Sequence, residues 1–280
     1  MSYANFKAKV WSKAIDRDLE RVCVFAENTN QKYSGEIKGL GDTVRIVGVG
    51  KPTVQTHTLS SGKLTLSGAE EIADTSVSLV VDKAAYFNYG VEDIDAAQGA
   101  GNVLAVLNQE SSEEVANVID KAIADLAKEK VGVQKYASAN TVVTKDNILA
   151  TLDGMQQKLF ENDVNPSTKI TITMPPAVYT VFRQAYEKLD TDNSEMLKNG
   201  RVARYANMDI KMSNNVAMND KSHYLVQCKT DRAIALAMGD AHVEPYRPEN
   251  SFTDAVKGFK LFGCKIVRPK EMVVLECSIA

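Results

Sequence analysis

The side chains able to do chemistry in this sequence are few and scattered. Its three histidines, His57, His223 and His242, fit no HxxH or HxxxH spacing, and no nucleophile stands beside them in a triad-like pattern. Its four cysteines, Cys23, Cys228, Cys264 and Cys277, form no CxxC pair, so neither a zinc site nor a disulfide framework is spelled out and packed thiols are expected. Gly48-Val49-Gly50-Lys51 invites a phosphate-loop reading, but Arg45 stands where the first glycine belongs and Pro52 where the Ser or Thr belongs. Gly39-Leu40-Gly41 lacks the third glycine of a dinucleotide turn, since Val44 occupies it. Asp190-Thr191-Asp192-Asn193-Ser194 opens like a calcium loop, yet Glu195 replaces the required glycine and Arg201 the bidentate Glu. The paired carboxylates Glu70-Glu71 and Glu92-Asp93 point in diverging directions on any regular element and cannot converge on one bond. The expectation is therefore a protein with no catalytic, metal-binding or cofactor-binding residues, and not an enzyme.

Composition sets wider bounds. With 44% apolar and 25% charged residues over 280 positions, the chain can bury a sizeable core. A formal charge of −3 with the two signs interspersed leaves no basic block of a nucleic-acid reader, so any contact with a genome would be weak. No run approaches the ~20 apolar residues of a membrane helix, and Met1 to Lys13 lacks a signal-peptide core. No membrane contact and a cytosolic origin follow.

The elements that must carry the function come in a fixed order. Phe6, Val10, Trp11, Ile15, Leu19 and Val22 recur at helical steps, which predicts an amphipathic arm with a narrow apolar stripe. From Gly35 to Asp82 the runs are short and β-prone: Thr43 to Val49, Pro52 to Thr58, Lys63 to Leu66 and Val77 to Val81. The turn Ser60-Ser61-Gly62-Lys63 makes an extended hairpin of the middle runs, and a two-stranded ribbon in water is stable only when it lies on another surface. Val115, Val118, Ile119, Ala122, Ile123, Leu126 and Ala127 then predict a long helix, opened by Ser111 or Ser112 with Glu113 and Glu114, and closed by Lys128 and Lys130 before Gly132.

Beyond Asn140 helix and strand alternate. Thr144 to Asn147 reads as the cap of a helix carrying Ile148, Leu149, Leu152, Met155 and Leu159; Lys169 to Met174 reads as a strand with Ile170 and Ile172 alternating. Pro175-Pro176 opens a helix with Tyr179, Phe182, Tyr186 and Leu189 on one face. Met208 to Met212, Tyr224 to Cys228 and Cys264 to Val267 read as further strands, and no linker or repeat divides the chain.

In that order the chain resembles the major capsid (coat) proteins of tailed bacteriophages with the Hong Kong 97-like fold, nearest to the short-tailed phages. The likeness is carried by Ser78 to Gln98 (SLVVDKAAYFNYGVEDIDAAQ), Asn165 to Tyr179 (NPSTKITITMPPAVY), Gly200 to Asn215 (GRVARYANMDIKMSNN) and above all Val243 to Lys270 (VEPYRPENSFTDAVKGFKLFGCKIVRPK). The resemblance implies an α+β fold with an N-terminal arm over 1–34, an extended β-hairpin loop over 35–82, a peripheral domain with a long spine helix over 83–140, an axial domain over 141–238, and return strands of the peripheral domain over 239–280. It implies self-assembly into pentamers and hexamers of an icosahedral shell around double-stranded DNA, formed in the host bacterial cytoplasm and residing in the virion. Phe6, Trp11, Leu59, Ser61, Lys63, Leu64 and Leu66 are then the expected intersubunit contacts. With no charged coiled-coil extension before the arm, a separate scaffolding protein is expected, together with a portal protein. Lys63 matches no asparagine and carboxylate for a cross-link and is read as a solvated turn residue. Two alternatives stay open: an encapsulin-type or gene-transfer shell of the same fold, and a soluble α/β enzyme with an unrecognised site.

Overall fold

A computed structural model of the chain describes residues 24–34, 42–49, 54, 74–92, 103–129, 133–187, 204–249 and 253–279. In chain order its strands are β1 (Thr43–Val49), β2 (Asp74–Val80), β3 (Lys83–Glu92), β4 (Gln134–Lys135), β5 (Thr141–Val143), β6 (Ile170–Met174), β7 (Arg204–Tyr205), β8 (Met208–Met212), β9 (Tyr224–Thr230), β10 (Ile234–Met238), β11 (His242–Tyr246), β12 (Thr253–Ile266) and β13 (Met272–Ile279). Its helices are α1 (Val103–Asp125), α2 (Ile148–Glu161) and α3 (Pro176–Tyr186). The mixture is α+β, as expected.

Two sheets organise these elements. In the first, the 14-residue β12 is the axis: β3 runs antiparallel along one side, while β11 and then β10 line the other. α1 lies on this sheet and buries Val115, Ala116, Ile119, Ile123 and Ala124 against Ala85, Val256, Phe262, Ile234 and Leu236. That helix begins eight residues earlier than its expected cap. Ser111 sits inside it and donates its hydroxyl to the Leu107 carbonyl at 2.7 Å, while Ser112 is buried. A serine bonded four residues back is satisfied without a cap, and so mimics a helix start in sequence.

The second sheet has seven strands in the order β4-β13-β9-β6-β8-β7, with β5 also on β13. α2 and α3 cover one face, where Ile148, Leu152, Met155, Leu159, Val178 and Phe182 meet Ile170, Ile172, Val226, Cys228, Val273 and Leu275. The expected cap of α2 is absent: Asn147 accepts the backbone N–H of Thr144 at 2.8 Å and so ties the turn before the helix. All five residues of β6 are buried, not alternate ones, because its second face is covered too. The segment 239–280 supplies both sheets: β11 and β12 join the first, β13 the middle of the second. The strand read at Cys264 to Val267 is the end of the longer β12.

β1 and β2 form a separate two-stranded antiparallel ribbon, in register from Thr43 opposite Val80 to Val49 opposite Asp74. Its base meets the body: Val44, Leu79 and Val81 bury against Ala235 and Ala237. There the chains come unusually close, since a methyl group added at Gly263 would stand 2.3 Å from the Val80 carbonyl oxygen.

Candidate functional site

The seven residues expected to make intersubunit contacts, Phe6, Trp11, Leu59, Ser61, Lys63, Leu64 and Leu66, all lie outside the described residues. The described surfaces next to them in sequence are the segment 24–34 and the sheet of β3 under α1.

The root of the arm, Val24 to Ser34, threads between α1, the polar face of the second sheet and the edge of β10. A short 3-10 turn, Ala26–Asn28, forms there because Thr29 and Gln31 close on it, their side chains donating to the Ala26 carbonyl at 2.6 and 2.8 Å. The buried Asp120 of α1 accepts the backbone N–H groups of Val24 and Phe25 at 3.3 and 3.2 Å. From β9 the fully buried Lys229 donates its ammonium to the Asn28 carbonyl at 2.6 Å, and Thr171 of β6 reaches the Asn28 side chain. Lys211 of β8 pairs with Glu27. Asn30 then bridges β10, donating to Ile234 and accepting from Leu236 at 2.9 and 3.0 Å.

Burial works against both charges in this joint. Desolvation pushes the Asp120 carboxyl up despite its backbone hydrogen bonds, and brings Lys229 down to about 7 despite the attraction of Asp120 and Asp231. Sequence reading did not find either residue. Gln227 and Lys229 alternate with Val226 and Cys228, which reads as a solvent face; that face is covered by the root, which returns to Lys229 from 201 residues away, and by the end of α1, where Gln227 donates to the Ala124 carbonyl at 2.9 Å.

Beside the joint lies an open groove of about 630 Å³ between β3 and α1, lined by Tyr86, Phe87, Tyr89, Glu110, Glu114 and Val118 among others. Phe87 and Tyr89 stack with ring centroids 5.8 Å apart. Val118, expected in the buried stripe of the helix, is 40% exposed, and Tyr86 is 79% exposed. On the face of the sheet away from α1, Phe259 stands opposite Tyr86 in register, itself exposed and 5.5 Å from the His242 ring, so an aromatic row crosses three strands there. Apolar surface left open in this way marks a face that something else covers.

The remaining polar chemistry is structural. His223 was met in the sequence as an isolated histidine; its Nδ1 lies 3.0 Å from Glu276 Oε1, to which Asn219 also donates at 2.6 Å. The hydrogen bond from His223 is the main cause that lowers the Glu276 carboxyl, with Lys135 adding attraction at 3.7 Å. Asn219 in turn accepts the His223 backbone N–H at 2.9 Å, so the cluster ties the 219–223 turn to β13. Cys228 and Cys277 are buried, and burial raises both thiols, that of Cys277 to about 12, so neither is a ready nucleophile. Among the described residues no three His, Cys, Asp or Glu side chains gather to hold a metal, and no helix is long and apolar enough to cross a membrane.

No protein-family model matches the sequence, and no curated protein matches it. Solved structures do. One from Mycobacterium phage Che8 agrees with a TM-score of 0.75 at 26% identity, over 90% of this chain and 90% of its own. The capsid structure of the cyanophage P-SCSP1u agrees at 0.70 and 13% identity, over 92% and 89%. The crystal structure of a virus-like particle from Pyrococcus furiosus agrees at 0.62 and 13% identity, over 96% and 98%. A sheet built on one long strand under a long helix, a second sheet sharing the closing strands with it, and a two-stranded ribbon are the described parts of this chain, and its fold is the Hong Kong 97-like fold of the phage capsid structures.

Proposed function

We propose that this chain is the major capsid protein of a tailed phage, whose copies form the pentamers and hexamers of an icosahedral head around double-stranded DNA. The observation that supports the reading is the agreement with phage capsid structures over about nine-tenths of both chains. The ribbon supports it: among the described residues β1 and β2 pair with no other strand, and two strands alone are marginal in water unless a further surface covers them.

On this reading residues 1–34 are the arm, 35–82 the extended loop, 83–140 the peripheral domain, 141–238 the axial domain, and 239–280 the closing strands, of which β13 serves the axial sheet. Phe6 and Trp11 of the arm and the loop tip around Leu59, Ser61, Lys63, Leu64 and Leu66 lie across neighbouring copies. The groove between β3 and α1 is the receiving face. Heterologous contacts of this kind close into rings, and many modest contacts per copy sum to the large interface of a permanent assembly while still letting misplaced copies leave. A scaffolding protein guides closure, a portal occupies one vertex, and the genome is held by weak non-specific contact, consistent with the balanced charge.

Replacing Leu59 to Leu66 by a short Gly/Ser turn tests this. Negative-stain microscopy of the unaltered protein, co-expressed with its scaffold, should show closed particles. The variant should retain its thermal unfolding midpoint as a free subunit and form none; normal particles from it would remove the loop from assembly. The likeness to a virus-like particle favours a second reading, a compartment of the same fold that holds protein cargo. Nucleic-acid absorbance of purified particles separates the two.

A further inference from the structure

Asp120 and Lys229 lie on opposite sides of a root segment only a few residues long, both buried, both bonded to its backbone. A charged pair that grips main-chain groups is an unusual fastening. Apolar packing would hold the same segment without a desolvation cost, whereas buried charges make the hold depend on protons. We propose that residues 24–30 are a latch, and that the ionisation of Lys229 and Asp120 sets how readily it opens to free the arm. The shell reading enters only in the use an assembly would make of a freed arm; the latch itself is a property of the single subunit.

Lys229 faces Asp120 on α1, Asp231 on the turn after β9, and Lys211 on β8, which is neutralised by Glu27 of the root; Glu271, behind β9, accepts the Thr230 hydroxyl. Asp120 faces the Val24, Phe25 and Ala26 backbone and the Asn215 side chain.

Opening returns both groups to water. Lys229 in the closed latch gives up its proton at about 7, against 10.5 in water, so opening takes up a proton between those values and becomes harder as the pH rises above 7. Asp120, whose carboxyl is raised in the closed latch, releases a proton on opening below that raised value, so opening also becomes harder in acid. The latch is loosest between the two limits, where both groups are charged.

Amide hydrogen exchange of the full-length subunit from pH 5 to pH 9, corrected for intrinsic exchange and read on peptides covering residues 24–34, tests this. The opening constant should be flat near neutrality and fall about tenfold per pH unit above pH 7, the slope of one proton. Peptides from β6 should not share that slope. Lys229→Met should abolish the alkaline limb. Asp120→Asn, which keeps an oxygen for the root N–H groups, should abolish any acid limb and move the alkaline limb to lower pH; it decides the matter if the lysine variant does not fold. Exchange in 24–34 with no pH dependence beyond the intrinsic one, limbs shared equally with β6, or limbs that persist in both variants would overturn the latch. Failure of the protein to make particles would leave these limbs in place, so the two readings fail separately.

Discussion

At Gly263 the absence of a side chain has a specific use. β12 passes so near the base of the ribbon that a Cβ would meet the Val80 carbonyl oxygen at 2.3 Å and the Val81 Cα at 3.1 Å, and both neighbours are backbone that cannot rotate away. Gly90 differs, because its nearest obstacle is the Thr253 methyl, the end of a side chain. Gly263→Ala should therefore destabilise by about 1–3 kcal/mol, the usual cost of overpacking, and Gly90→Ala by less, as read from denaturant midpoints at unchanged slope. Equal effects would mean that the crossing of ribbon and β12 is loose. Asp120 and Lys229 teach a related lesson about reading single residues. Each sits in a pattern that means exposure, one among the charges of an amphipathic helix, the other on the polar alternation of a strand, and the backbone groups they bond in the returning root are far away in sequence.

Single elements were legible to different degrees. β1 appears with its expected bounds, α2 and α3 carry Leu152, Met155 and Phe182 inward as their spacing predicts, and β8 lies where alternating Met208, Ile210 and Met212 placed it. These signals are local, a period of 3.6 or 2 set against one buried face. What was not legible depends on partners far away in sequence. The second face of β6 meets the root segment, where Thr171 reaches Asn28, and the early start of α1 leaves Ser111 inside the helix, bonded to the Leu107 carbonyl. β10 and β13 are nearly continuous apolar runs whose place in a sheet no period announces. The candidate contact residues follow from their place in the arm and loop tip of the resemblance, whereas the groove proposed to receive them depends on the packing of β3 on α1. Because Tyr86 and Val118 stand at its rim, Tyr86→Glu with Val118→Glu should leave subunit stability within about 0.5 kcal/mol while particle yield falls at least tenfold, measured by sedimentation. Unchanged assembly would show that this face is not the receiving one.

For the molecule as a whole, chain order and spatial order are interleaved. β13 is the last strand, yet it is paired with β9 on one side and with β4 and β5 on the other. Its Val273, Leu275 and Cys277 are in the core under α2 and α3, while Met272 and Val274 enter the core under α1. Removing Met272 to Ala280 should therefore cost far more than the removal of a terminal strand at a sheet edge, and should leave no cooperative unfolding transition by calorimetry. A truncated chain that still melted sharply would mean the two cores are independent.

The last two strands also share a corner. β12, the axis of the first sheet, ends at Ile266, and β13 enters the second at Met272, with only Val267 to Glu271 between them, turned by Pro269 and braced by an Arg268 to Glu271 contact of 2.9 Å. Five residues with so little slack behave as a stiff coupling. In the shell we propose, tilt imposed on one sheet by a neighbour would be handed to the other through that corner, so that each copy would pass curvature across its own width.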